Sequence, residues 1–185
     1  MVKKSHLNSP QDHFSCGSTM IEVLVAIVVL SIGLLGLAGL QVKLQAIEID
    51  SYQRSQALIL LDDMVSRISS NRKNASSYVT ASPIGPDDCP SATNESLRSA
   101  LDLRDWCLAL KGSMEKKSEI AVGAMINALG CITSLGSGSN SYQIVVSWQG
   151  LGDVPSDPDS TLCSYSEYGT SRRRATVSIV TIGQL

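Results

Sequence analysis

From Met20 to Leu40 the chain runs through 21 residues with one ionisable side chain, Glu22. A helix of about 20 apolar residues spans the hydrocarbon core of a bilayer and satisfies its own backbone hydrogen bonds there. This run is therefore predicted to be a single membrane-spanning helix. It is preceded by a polar stretch, residues 1–17, that carries Lys3 and Lys4 and ends in Gly17. A secretory signal peptide has an apolar core of about 7 to 15 residues followed by a small-residue cleavage site. A conventional cut near Ala38 would need an over-long core. A cut after Gly17 would instead expose Ser18 as the new amino terminus and leave the whole apolar helix on the chain. An uncleaved signal anchor is the plainer alternative.

Glu22 needs compensation wherever the helix sits in lipid. A carboxylate at the centre of a membrane helix costs about 2.5 to 3.5 kcal/mol on the insertion scale, and less near the interface. With the cut after Gly17, the free amine of Ser18 lies four residues from Glu22, on the same helix face. In the simplest case Glu22 offsets its own amine and the positive end of the helix dipole. In the other, its partner is the amine of a neighbouring subunit.

This arrangement, Gly17 followed five residues later by Glu22 inside an apolar helix, resembles the leader of type IV prepilins. The continuation L-S-I-G-L-L-G-L-A-G-L-Q, Leu30 to Gln41, is more narrowly similar to the minor pilins called type IV pilus modification proteins. The resemblance implies cleavage by a prepilin peptidase after Gly17, N-methylation at Ser18, and pairing of Glu22 with a neighbouring subunit that sets axial register. Ser18 stands where the family usually carries phenylalanine or methionine. The family also implies an α+β fold: a long N-terminal helix, apolar in its first half and amphipathic in its second, packed on a small antiparallel sheet with disulfides. The implied partners are a major pilin, other minor pilins and the inner-membrane pilus assembly platform. The leader would be cytoplasmic and the head periplasmic, and the chain would later enter the filament, supporting adhesion and twitching motility. Secretion pseudopilins share the leader and remain the nearest alternative. A signal-anchored periplasmic protein is a further one.

Cysteine and histidine narrow the chemistry. Of five cysteines, Cys16 leaves with the leader, so Cys89, Cys107, Cys131 and Cys163 remain, an even number suited to disulfides in an oxidising compartment. Four cysteines allow three pairings, and the sequence does not choose among them. A bridge from Cys107 to Cys131, for example, would close a loop of about 25 residues and contribute roughly 3 to 4 kcal/mol. No C-x-x-C pair suggests zinc. Both histidines, His6 and His13, lie in the leader, so the mature chain would have no histidine base and no histidine metal ligand. No catalytic, cofactor or metal site is expected. The formal charge of −2 provides no broad basic field for nucleic acid.

The organisation expected along the chain is a leader over 1–17, a membrane or filament-core half-helix over 18–41, an amphipathic half-helix over 42–72 and a globular head over 73–185. No proline falls between Pro10 and Pro83. Leu44, Ile47, Leu58, Leu61, Val65 and Ile68 form a seam at helical steps, interrupted by Ser51 and Arg54, which predicts one helix to about Ser70 with the seam buried on the head. Gly33, Gly36 and Gly39 fit either close helix packing or local unwinding. Asn71 to Pro90 reads as a loop. A second helix is predicted from Glu95 to Lys111, capped by Asn94, with Trp106 packed beside a disulfide. Met114 to Gly138 is ambiguous, and Gly136 to Asn140 reads as a turn. Tyr142 to Trp148 is the clearest strand, with Ile144, Val146 and Trp148 on one face. A long loop over Gln149 to Tyr168 precedes a strand over Ala175 to Ile182. Arg172, Arg173 and Arg174 read as a solvated edge, or as a contact with an acidic face of another subunit.

Overall fold

The computed structural model describes residues 19–85, 89–93, 97–112, 116–117, 120–121, 125–136, 140–153, 163 and 172–183. Helix α1 spans Met20–Ser70 without a break, 51 residues in all. The chain divides into two compact units with the boundary between Lys43 and Leu44, inside this helix.

In the first unit α1 is exposed on every side: Leu24, Ile27, Leu30 and Leu35 are each more than half accessible. The helix is long and apolar enough here to cross a membrane, and none of its apolar window is buried within the chain.

The second unit, Leu44–Leu185, takes in the end of α1 together with the residues expected to form the head. Its described elements are the end of α1, a 3-10 helix over Arg72–Tyr78, α2 over Arg98–Leu110, a two-stranded ribbon of β1 (Lys116–Lys117) and β2 (Ile120–Ala121), and the strands β3 (Ile126–Ser134), β4 (Ser141–Gln149) and β5 (Arg173–Thr181). The last three make an antiparallel sheet in the order β3-β4-β5. Long helix, small antiparallel sheet and two disulfides together are the pilin-like α+β architecture anticipated above.

α1 buries a seam formed by Gln53, Ala57, Leu61, Met64 and Ile68, steps of four, four, three and four residues. This corrects the predicted seam. Leu61 and Ile68 belong to it and Val65 packs at its margin, but Leu44, Ile47 and Leu58 are exposed. The head contacts a line that includes a small residue, Ala57, and a polar one, Gln53. Counting large apolar residues passes over both.

One face of β4 supplies Tyr142, Ile144, Val146 and Trp148 to the core, as its alternation implied. The opposite face is buried as well, because Val145 lies in a second cluster with Cys131 and Cys163, and Ser147 is fully covered. On the main core Trp106 is completely buried and its indole Nε1 donates to the Leu60 carbonyl at 2.9 Å. Its ring crowds Gly130 of β3 so closely that a β-carbon there would overlap the indole.

The expectation of a loop over Asn71 to Pro90 is corrected too. Residues 72–78 form the 3-10 helix, with Ala75 and Tyr78 buried. The segment after it then runs along the outer edge of β3. Thr80 N–H donates to the Ile132 carbonyl at 2.9 Å, and Ile84 and Gly130 exchange both backbone hydrogen bonds, at 2.9 and 2.8 Å. The polar composition of this stretch concealed its work, which is to cover an otherwise open sheet edge.

α2 starts at Arg98, with Leu97 as its N-cap residue; Asn94 and Glu95 lie outside the described residues. β3 carries an irregularity between Ile126 and Leu129, where Asn127 takes a φ of 50°, a left-handed conformation that asparagine tolerates.

Candidate assembly site

The anticipated functional residues lie at the start of α1. Glu22 is in the first helical turn, and its backbone N–H donates to the Thr19 carbonyl at 2.9 Å. A carboxylate at this position faces the unpaired N–H groups and the positive end of the helix dipole. Gly17 and Ser18 lie outside the described residues, as does Cys16. Further along, the Ser31 hydroxyl donates to the Ile27 carbonyl at 2.7 Å, so this polar group is satisfied within the helix.

Gly33, Gly36 and Gly39 interrupt neither the helix nor any contact, since a β-carbon added at each would meet nothing within 4 Å. They leave three notches in a surface covered mainly by valine, leucine and isoleucine side chains. Among the described residues this half of α1 presents an apolar surface, one acid near its start and three small-residue notches.

In the head the four cysteines pair as Cys89–Cys107 and Cys131–Cys163. The example pairing of Cys107 with Cys131 is not the one formed. The first bridge ties the segment after the 3-10 helix to α2, and the second closes the outer face of the sheet over Val145. Trp106 and Cys107 share the main core cluster, with Cys89 packed against it.

Two polar constructions fasten α1 to the head. Asp102 of α2 is almost wholly buried and receives three donors: Arg67 Nη1 at 2.9 Å, Tyr78 Oη at 2.6 Å, and Arg98 Nε at 3.1 Å to one carboxylate oxygen and 3.3 Å to the other. Arg67 also binds Asp63 at 2.8 Å. Burial, reinforced by the hydrogen bond to Asp102, pushes the Tyr78 phenol up to about 12. Burial works to lower the Arg67 pKa, but hydrogen bonds to Asp63 and Asp102 outweigh it and hold the guanidinium above its ordinary value.

The second construction centres on Arg174. Its Nε lies 3.4 Å from Asp50 of α1, and its Nη2 donates to the Gly152 carbonyl at 3.1 Å. The side chain passes so close over Gly150 that a β-carbon there would come within 2.9 Å of it. The arginine triplet is therefore not a solvated edge. Arg173 is buried, Arg174 pairs inside the subunit, and the more exposed Arg172 pairs with Asp153 at 3.1 Å.

Sequence spacing could have located two of these contacts. Asp63–Arg67 and Arg98–Asp102 are both four residues apart on a helix. Nothing local links Tyr78 or Arg67 to Asp102, or Asp50 to Arg174.

Residues 13–38 match the family described as Prokaryotic N-terminal methylation motif, a span that includes Gly17, Ser18, Glu22 and all but the end of the apolar run. No curated protein and no solved structure matches the chain. The motif is of prepilin type and supports a type IV pilin or pseudopilin family; it points to a structural subunit.

Proposed function

We propose that this chain is a minor pilin of the type IV pilus, of the PilV kind, which takes part in the initiation of assembly and is then incorporated in the filament. The observation that carries the reading is the coincidence of a prepilin-type motif with a helix whose apolar surface, Met20 to Leu40, is exposed on all sides. Lipid tails cover that surface in the inner membrane, and the helices of other pilins cover it in the filament. Because both surroundings are apolar, the exchange costs little hydrophobic energy, and association rests on close packing and polar pairing.

In this mechanism the prepilin peptidase cuts after Gly17 and Ser18 becomes the methylated amino terminus. Glu22 then pairs with the Ser18 amine of a neighbour, which sets the axial register as the assembly platform extrudes the subunit. The major pilin and other minor pilins are its partners, and adhesion and twitching motility depend on the filament they form. Two disulfides favour a periplasmic head. A type II secretion pseudopilin is the second reading, because the same motif serves it equally.

The two readings separate on the location of the product. A minor pilin is recovered from filaments sheared off the cell surface, and its loss reduces surface pili while secretion continues. Recovery only in the inner membrane, with a secretion defect and normal pili, would favour the pseudopilin. Replacing Glu22 with glutamine leaves membrane insertion intact and removes the chain from sheared filaments.

A further inference from the structure

Where α1 ends, the head surface gathers positive charge around three neighbouring depressions. Arg67 and Arg98 line one with Ser70 and Asn71; the next shares Ser70 and Asn71 and is walled by Arg72 and Lys73; the third reuses Arg72 and Lys73 beside Asn140 and Tyr142. Their volumes are about 290, 290 and 250 Å³. Among the described residues two carboxylates adjoin these four cations, Asp63 and Asp102, and both are engaged by Arg67 or Arg98. Arg72 and Lys73 are exposed, and among the described residues neither has an ion pair. The Arg98 side chain is 71% accessible although its Nε holds Asp102.

We infer that Arg72, Lys73 and Arg98 form a docking face for a carboxylate-bearing surface of an adjoining pilin-type subunit. The inference rests on the minor-pilin reading, which supplies the neighbour. Charge complementarity selects a protein carboxylate. A guanidinium fork and an ammonium side by side suit paired carboxylates. A few cations on a chain of net charge −2 are too few for the six to ten phosphate contacts typical of nucleic-acid binding. The chain itself carries acids of the required kind on the exposed surface of α1, Glu48 and Asp62. An acidic face on a like subunit is therefore chemically available.

The feature is local to the surface. Arg72 and Lys73 contribute no side chain to the core, whereas Ala75 and Tyr78 of the same 3-10 helix do. Charge at these two positions can thus be reversed without touching the packing.

The test uses the full-length chain in cells that make pili. The double variant Arg72→Glu with Lys73→Glu is expected to be processed and inserted like the wild type, and to fall roughly tenfold in sheared filaments, since like charges then meet across the contact. Exchange of the two cations, Arg72→Lys with Lys73→Arg, is expected to retain incorporation. Normal incorporation of the charge-reversed chain would overturn the docking face while leaving the minor-pilin reading intact. Absence of the wild-type chain from filaments would overturn both. Detergent-solubilised wild-type chain that binds DNA, with the loss of that binding in the charge-reversed chain, would overturn the assignment of a protein partner.

Discussion

The Tyr78 hydroxyl donates to the Asp102 carboxylate at 2.6 Å across 24 residues of sequence, joining the 3-10 helix to α2 in the same place where Arg67 brings in the end of α1. The phenol is fully buried, and burial together with the neighbouring carboxylate raises its pKa from 10.0 to about 12. A raised folded-state pKa means that the folded protein holds this proton more tightly than the unfolded chain. Its contribution to stability is complete below pH 10 and is lost as pH climbs towards 12. Urea midpoints measured from pH 8 upwards should therefore fall through that window. Tyr78→Phe should lower the unfolding free energy at neutral pH by about 1 to 2 kcal/mol and remove this part of the alkaline decline.

Glycine positions in the two units respond oppositely to the same change. Gly130→Ala places a methyl against the Trp106 ring and the Leu110 side chain, within a fully buried core. Overpacking of this kind costs about 1 to 3 kcal/mol, to be read from thermal or urea unfolding of the head. Gly36→Ala meets nothing and removes a poor helix former, so it should stiffen α1 by about 1 kcal/mol. If the notches serve helix packing or local unwinding in the filament, the second variant is stable yet assembles less well.

The Cys89–Cys107 bridge encloses 18 residues of separation and fastens the strand-edge segment to α2. Replacing both cysteines with serine should cost roughly 3 kcal/mol on the chain-entropy model. The loss should be visible as a lower unfolding midpoint and as earlier protease cutting between Tyr78 and Cys89. Reducing agent should reproduce that sensitivity in the wild type.

Arg174 passes close over Gly150 on its way to Asp50. Gly150→Val should displace the arginine from both Asp50 and the Gly152 carbonyl. The expected loss is about 1 to 3 kcal/mol, and Asp50→Asn combined with it should add less than the sum of the two single changes.

The sequence disclosed the elements whose signal is local and periodic. α1 was legible to its last residue, because its apolar run continues at helical steps with no proline, and β4 was legible from the alternation of Ile144, Val146 and Trp148. What stayed hidden depended on distant partners. Gln53 and Ala57 enter the buried seam because the head approaches that line of α1, not because either is strongly apolar. Arg173 and Arg174 read as solvent-facing because Asp50 and Gly150, which adjoin Arg174, are far away in sequence. The segment around Ile84 looked like a loop because its hydrogen bonds go to β3, some 46 residues away in the case of Gly130. At the candidate assembly site what was legible is the motif itself, because the matched stretch, 13–38, is short and contiguous. The polar fastenings of the head were not, being made between elements.

The central claim is that the apolar half of α1 stays on the mature chain behind a new amino terminus. Intact-mass and N-terminal mass spectrometry of the protein isolated from membranes tests it directly. The account predicts a chain beginning at Ser18, carrying one added methyl group and retaining residues 18–41 together with the head. An intact Met1, or a head cut free of residues 18–41, would contradict it.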